Sequence, residues 1–195
     1  MKRLALALLS IAVIAGCNSQ PAPQEQAKPQ PPELLTGRSA FQKLYVSARG
    51  WAGDVKPYQL QSQVVGTNNG ADGKAVVWRA AFGSESMHGS KPYVWSGIDS
   101  PDAPSRGVNP GPQDNYKPGN EFDLNFLKID SDKAYEVAQK HGGDKLSNTP
   151  VTYLLDWASA ENKLVWHVIY GPSRNDAKLV VDVDATTGEF IRKEK

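Results

Sequence analysis

The chain has 195 residues, 22 of them Lys or Arg and 21 Asp or Glu, for a formal charge of +1. That balance lacks the basic excess of a nucleic-acid reader, so no nucleic-acid partner is expected. A single Cys excludes an intramolecular disulfide, a Cys-built zinc site and an iron–sulfur cluster, while five Trp, seven Tyr and five Phe suffice for a real core.

The chain opens MKRLALALLSIAVIAGC. Lys2 and Arg3 precede a 13-residue stretch of apolar and small residues, 4–16. As a helix this spans roughly 20 Å, short of the ~30 Å hydrocarbon core, so it reads as a secretory signal and not as a membrane span. Its end, Ile14-Ala15-Gly16-Cys17, resembles the bacterial lipoprotein signal: an aliphatic residue, two small residues and the lipid-bearing cysteine. The resemblance implies diacylation of the Cys17 thiol, cleavage after Gly16 and acylation of the new amino terminus, a combination that anchors stably in a membrane. Asn18, where Asp could stand, resembles the choice that sends Gram-negative lipoproteins to the outer membrane, facing the periplasm. Cleavage removes two basic residues and no acid, leaving 20 against 21.

Residues 18–33, NSQPAPQEQAKPQPPE, hold five prolines and four glutamines and have nothing to bury. At about 3.1 Å per residue in polyproline II, such a spacer reaches roughly 50 Å. The expected organisation is a signal peptide (1–16), lipidated Cys17 with a Pro/Gln-rich tether (17–36), a first unit (37–97), a Pro/Gly-rich connection (98–129) and a second unit (130–195).

The two units show an internal repeat. Val77-Trp78-Arg79-Ala80-Ala81-Phe82-Gly83 and Val165-Trp166-His167-Val168-Ile169-Tyr170-Gly171 share the pattern Val-Trp-basic-apolar-apolar-aromatic-Gly. In the first unit Phe41, Leu44, Tyr45, Ala48 and Ala52 fall on one helical face, with Ser39 as the expected N-cap. A strand follows around Tyr58, Leu60 and Val64, then Asn/Gly/Asp turn chemistry at 69–73, then strands over 74–83 and 92–97. In the second, Ser131 is the expected cap of a helix running to about His141, with Ala134, Val137 and Ala138 facing inward and Gly142-Gly143 ending it. Val151, Tyr153, Leu155 and Trp157 alternate along one strand. Leu164, Trp166, Val168 and Tyr170 form the face of the next, and Leu179, Val181 and Val183 that of a third. Helix–strand–strand–strand twice predicts an α+β fold of tandem αβββ units with antiparallel sheet.

Residues 133–190 resemble a PepSY-type domain. The marks are the helix segment Ala134-Tyr135-Glu136-Val137-Ala138, the strand Trp166-His167-Val168, and the ending Val181-Asp182-Val183-Asp184-Ala185-Thr186-Thr187-Gly188-Glu189. The first unit departs from the pattern, having Trp95-Ser96-Gly97 in place of that ending. The resemblance implies a small noncatalytic envelope or secreted module of the kind found in protease propeptides, for which peptidase inhibition was proposed. Tandem copies resemble β-lactamase-inhibitor-like proteins.

No catalytic motif, cofactor-binding loop or metal-ligand spacing appears, so no catalytic residue, cofactor or metal is expected. His167 is out of phase with Trp166 and is expected on the solvent side or the other face of the sheet. His141 closes a helix, and His88 lies in a Ser/Gly turn. A calcium loop over residues 182–188 would lack Gly at its sixth position, so Asp182 and Asp184 are expected to face water. Trp157 and Trp166 are expected in the core. Trp51, Trp78 and Trp95 are left open, and an exposed aromatic patch beside the proline-rich loop is the expected contact surface. The functional expectation is a lipid-anchored cell-envelope module without catalytic activity, held to the membrane by Cys17 and binding an envelope protein, in a peptidase-inhibitor-like or assembly role. The alternatives are an envelope hydrolase with a dispersed site and a small-ligand-binding module.

Overall fold

Residues 30–194 are described by a computed structural model. The segment 1–16, the expected lipidation site Cys17 and the tether to residue 29 lie outside the described residues. The chain enters the fold through β1 (Leu35–Thr36) and α1 (Gly37–Trp51), followed by β2 (Lys56–Gln63), β3 (Lys74–Ala75), β4 (Val77–Ser84) and β5 (Gly89–Ser96). Next come β6 (Gly107–Pro110), β7 (Asp114–Asn115) and α2 (Ser131–Lys140), then β8 (Val151–Ala158), β9 (Lys163–Tyr170), β10 (Leu179–Asp184) and β11 (Phe190–Lys193).

α1 forms where small and apolar residues recur at helical spacing, and it buries Ala40, Phe41, Leu44 and Ala48. Its N-cap is Thr36; Ser39 lies inside the first turn, its Oγ accepting from Thr36 Oγ1 at 3.0 Å. The free N–H groups of that turn are taken by the other half of the molecule: Gly37 N donates to Ser131 Oγ (2.7 Å) and Arg38 N to Asp130 Oδ1 (2.8 Å). The same Asp130 Oδ1 caps α2 by accepting from Ser131 N at 2.7 Å, so Asp130 is the N-cap expected at Ser131. The turn at 69–73 is built as its composition predicts, with Asn69 Oδ1 accepting from Ala71 N and Gly70 at φ 74°.

β1 and β3 pair as a separate two-stranded ribbon, and the other strands form a continuous antiparallel sheet in the order β11-β10-β9-β8-β2-β4-β5-β6, with β7 also pairing to β5. α2 is thus followed by four strands of this sheet and α1 by five, counting the short β7, where three are expected for each: β6 lies beside β5 as β11 lies beside β10. β6 and β7 come from the Pro/Gly-rich stretch read as an irregular connection. Gly107 at φ 100° turns the chain into β6, and Pro110 closes that edge strand. The halves meet where β2 pairs with β8, Leu60 opposite Leu155, both fully buried.

Both helices cover the same face of this sheet, and one apolar cluster runs through both halves, from Ala40, Phe41 and Leu44 through Trp78 and Trp166 to Ala134, Val181 and Val183. Trp78 and Trp166 meet edge to face, 6.4 Å between ring centroids. Each indole N–H donates to the carbonyl two residues before a helix begins: Trp78 to Leu35 O (2.9 Å) and Trp166 to Ile129 O (3.0 Å). The end of the stretch read as tether is fastened to the fold from residue 30. Arg106 Nη2 donates to Gln30 O and Pro31 O, and Glu33 N to Gly97 O.

Candidate functional site

Strand alternation sends every second side chain to the face without helices. There the register lines up Val94, Arg79, Gln61, Leu154, His167, Asp182 and Arg192 as one row across seven strands. The second-half end of the row is a buried ionic network. His167 is 3% exposed and Asp182 fully buried. His167 Nδ1 lies 2.6 Å from Asp182 Oδ1, and Nε2 3.1 Å from Asp156 Oδ1. Burial alone would depress the imidazole, but the hydrogen bonds and charges of Asp156 and Asp182 outweigh it and raise its pKa from 6.5 to about 9. At neutral pH it is an imidazolium donating from both nitrogens.

Arg192 extends the network. Its Nε stands 3.0 Å from Asp182 Oδ2, while Nη1 reaches Glu161 and Nη2 reaches Glu194. Arg174, on the loop between β9 and β10, also grips Glu194. On the adjacent row Asp184 is held by Lys163 Nζ at 2.7 Å. Burial pushes the Asp184 carboxyl up, yet Lys163 and the backbone N–H groups of Thr186 and Thr187 bring it below the usual range. The Asp-Ala-Thr-Thr-Gly ending therefore has a structural use: Asp184 Oδ1 caps the turn, and Gly188 at φ 81° returns its N–H to Asp184 O.

These positions correct the expectation that Asp182 and Asp184 face water; both are buried and paired with cations. The shared phase of Asp156, His167 and Asp182, opposite to Trp157, Trp166 and Val181, was the readable signal. The donor atoms of His167, Asp182 and Glu194 fall within 4.8 Å of one another, a grouping a divalent cation could use. The site has a cation already for each carboxylate, His167 and Arg192 for Asp182 and two guanidiniums for Glu194, and this donor set does not suit a metal.

The other histidines do not join this cluster. His141 stacks on Phe190 with 3.8 Å between ring centroids. His88 is exposed at φ 45° in the β4–β5 turn, which Asp54 holds by accepting from Ser84 Oγ, Ser86 Oγ and Ser86 N. The expected aromatic contact patch does not form: Trp78 and Trp95 are core residues, and Trp51 is half-buried beneath Lys91. They are inward because β4 and β5 carry their aromatic residues on the helix-covered face. Trp166 is buried as expected, and Trp157 is half-buried under Phe126, 5.3 Å between centroids.

No protein-family profile matches the chain, and no curated protein matches it in sequence. The fold is similar to the crystal structure of a candidate lipoprotein from Clostridium difficile 630, with a TM-score of 0.55 and 12% identity over 80% of this chain and 91% of that one. At that identity the likeness is one of fold.

Proposed function

We propose that the chain is a lipid-anchored, noncatalytic module of the bacterial cell envelope whose folded part binds another protein. The observation that carries the noncatalytic part is the state of His167. A general base needs one free nitrogen beside a nucleophile, whereas this buried ring gives both to carboxylates. The anchored part rests on Ile14-Ala15-Gly16-Cys17 and is supported by the fold shared with the Clostridium difficile 630 protein. The order of helix and strands in the two halves is compatible with tandem PepSY-like units, and the envelope placement, outer membrane facing the periplasm in a Gram-negative cell, belongs to the same proposal.

Two measurements test it. Radiolabelled palmitate should label the full-length chain and not its Cys17→Ser variant, which should leave the membrane fraction; equal labelling of both refutes lipidation. Cross-linking of the tagged full-length chain in cells should capture a defined protein at near-stoichiometric yield, and capture of none refutes the binding role.

A further inference from the structure

The internal repeat puts a cation at the same point of the two half-sheets, and the halves treat it differently. Arg79 corresponds to His167, each following the central Trp of its strand. Register extends the correspondence. Val94, opposite Arg79, takes the place of Asp182, opposite His167. Gln63, opposite Val77, takes the place of Asp156, opposite Val165. Asn109, beside Val94, takes the place of Arg192, beside Asp182. In the second half two carboxylates close on the cation and bury it. In the first half both positions are neutral, and Arg79 is exposed with no hydrogen bond or ion pair among the described residues.

Loops border the face on which Arg79 stands. On one side the loop after β5 folds back, Ile98 and Ala103 packing with Val77 and Val94. Farther along β4, Tyr116 lies so close over Gly83 that a Cβ there would overlap its ring. Across β2, Pro172, Ser173 and Arg174 border a cleft of about 430 Å³ whose lining includes Gln61, Gln63 and Leu154. Gln61 is the register partner of Arg79, and Gln63, opposite Val77, lies diagonal to it on the same face, so two amide-bearing residues neighbour Arg79 there.

We propose that Arg79, flanked by the amides of Gln61 and Gln63, is a subsite for a carboxylate from outside the chain, and that its occupant is an acidic side chain on an extended segment of a partner protein. The second half supplies the argument, since there the same sheet position accepts carboxylates from two neighbouring strands. A guanidinium takes a carboxylate through two parallel N–H bonds, and the amides add donors for its free lone pairs. A floor bordered by loops suits a narrow extended chain better than a planar lipid surface. The site rests on the protein-binding reading and specifies the chemistry of its partner.

The test uses the full-length chain in detergent, with fluorescein-labelled hexaglutamate as probe in a fluorescence anisotropy titration at low salt. Arg79→Gln should weaken binding at least tenfold, while Arg49→Gln, an exposed position on α1, should leave it unchanged. Val94→Asp, which restores the internal carboxylate of the second half, should weaken binding as much as Arg79→Gln with the circular dichroism spectrum intact. Equal affinity of wild type and Arg79→Gln, or no binding by wild type at millimolar probe, overturns the subsite. So does an Arg79-dependence seen with phosphatidylglycerol vesicles and not with hexaglutamate, because it would assign the cation to lipid. In the cell cross-linking experiment, partner capture that is unchanged by Arg79→Gln defeats this inference alone, and capture of nothing by wild type defeats the binding role itself.

Discussion

A free imidazole titrates near neutrality, and burial would make His167 easier still to deprotonate. Asp156 and Asp182 reverse that order and hold the proton up to about pH 9. The folded pKa lies above the unfolded value, so the stabilisation is complete below about pH 6.5 and is lost as pH rises towards 9. At about 1.4 kcal/mol per pH unit of displacement, the linkage is worth roughly 3 kcal/mol. The thermal midpoint of the wild type should therefore fall between pH 6.5 and 9.5. His167→Gln, less stable at pH 6, should show a much flatter profile over that range. A wild-type profile no steeper than that of the variant would mean that the ring is neutral in the fold. Removing one carboxylate should cost more than neutralising the ring. Asp182→Asn leaves two buried or half-buried cations short of a partner, a loss of about 3–5 kcal/mol in urea unfolding.

Between residue and sheet, the decisive element contact is the start of α1 against the two indoles. A Cβ on Gly37 would stand 2.4 Å from the Trp166 ring and 3.3 Å from the Trp78 ring. Both rings are fully buried and tied by their N–H groups, so neither can withdraw without losing a hydrogen bond. Gly37→Ala should destabilise the fold by about 1–3 kcal/mol through overpacking. Gly50→Ala is the control: nothing lies within 4 Å of its added Cβ, and helix propensity favours alanine there. If both changes move the urea midpoint in the same direction, the close approach at Gly37 is not what constrains that position. This contact was not legible in the sequence, where Gly37 reads as a residue before a helix. The face of the Trp166 indole is legible, because Leu164, Trp166, Val168 and Tyr170 alternate along one strand, whereas that of Trp78 is left open by the weaker pattern of the first unit.

At the scale of the molecule, β2 and β8 join the halves through backbone pairing and the Leu60–Leu155 contact, and the apolar cluster crosses that seam. Such a seam makes unfolding a single event. Trp166→Ala should cost about 3–5 kcal/mol, and hydrogen exchange should show protection lost in β4 and β9 alike. Protection lost in β9 with β4 unchanged would mean that the halves are independent folding units. The seam also creates the face without helices, on which the second half buries its ions and the first half leaves Arg79 open.

The one-dimensional pattern decided the local elements. Helical spacing in residues 41–52 and 134–138, alternation along β8, β9 and β10, and Gly with Asn or Asp at turns each reflect a preference of neighbouring residues, so the α+β class and the apolar faces of α1, α2, β8, β9 and β10 could be read directly. The position of Cys17 after Ile14-Ala15-Gly16 is likewise a matter of sequence. Tertiary structure decided the rest. The pairing of β2 with β8 joins residues about 95 positions apart through backbone groups that every residue carries, so side-chain pattern cannot announce it. Alternating Asp residues read as solvent-facing because a carboxylate is costly to bury without a counter-charge. Only the fold brought His167, Lys163 and Arg192 to Asp182 and Asp184, and only the fold left Arg79, at the matching position, without a carboxylate.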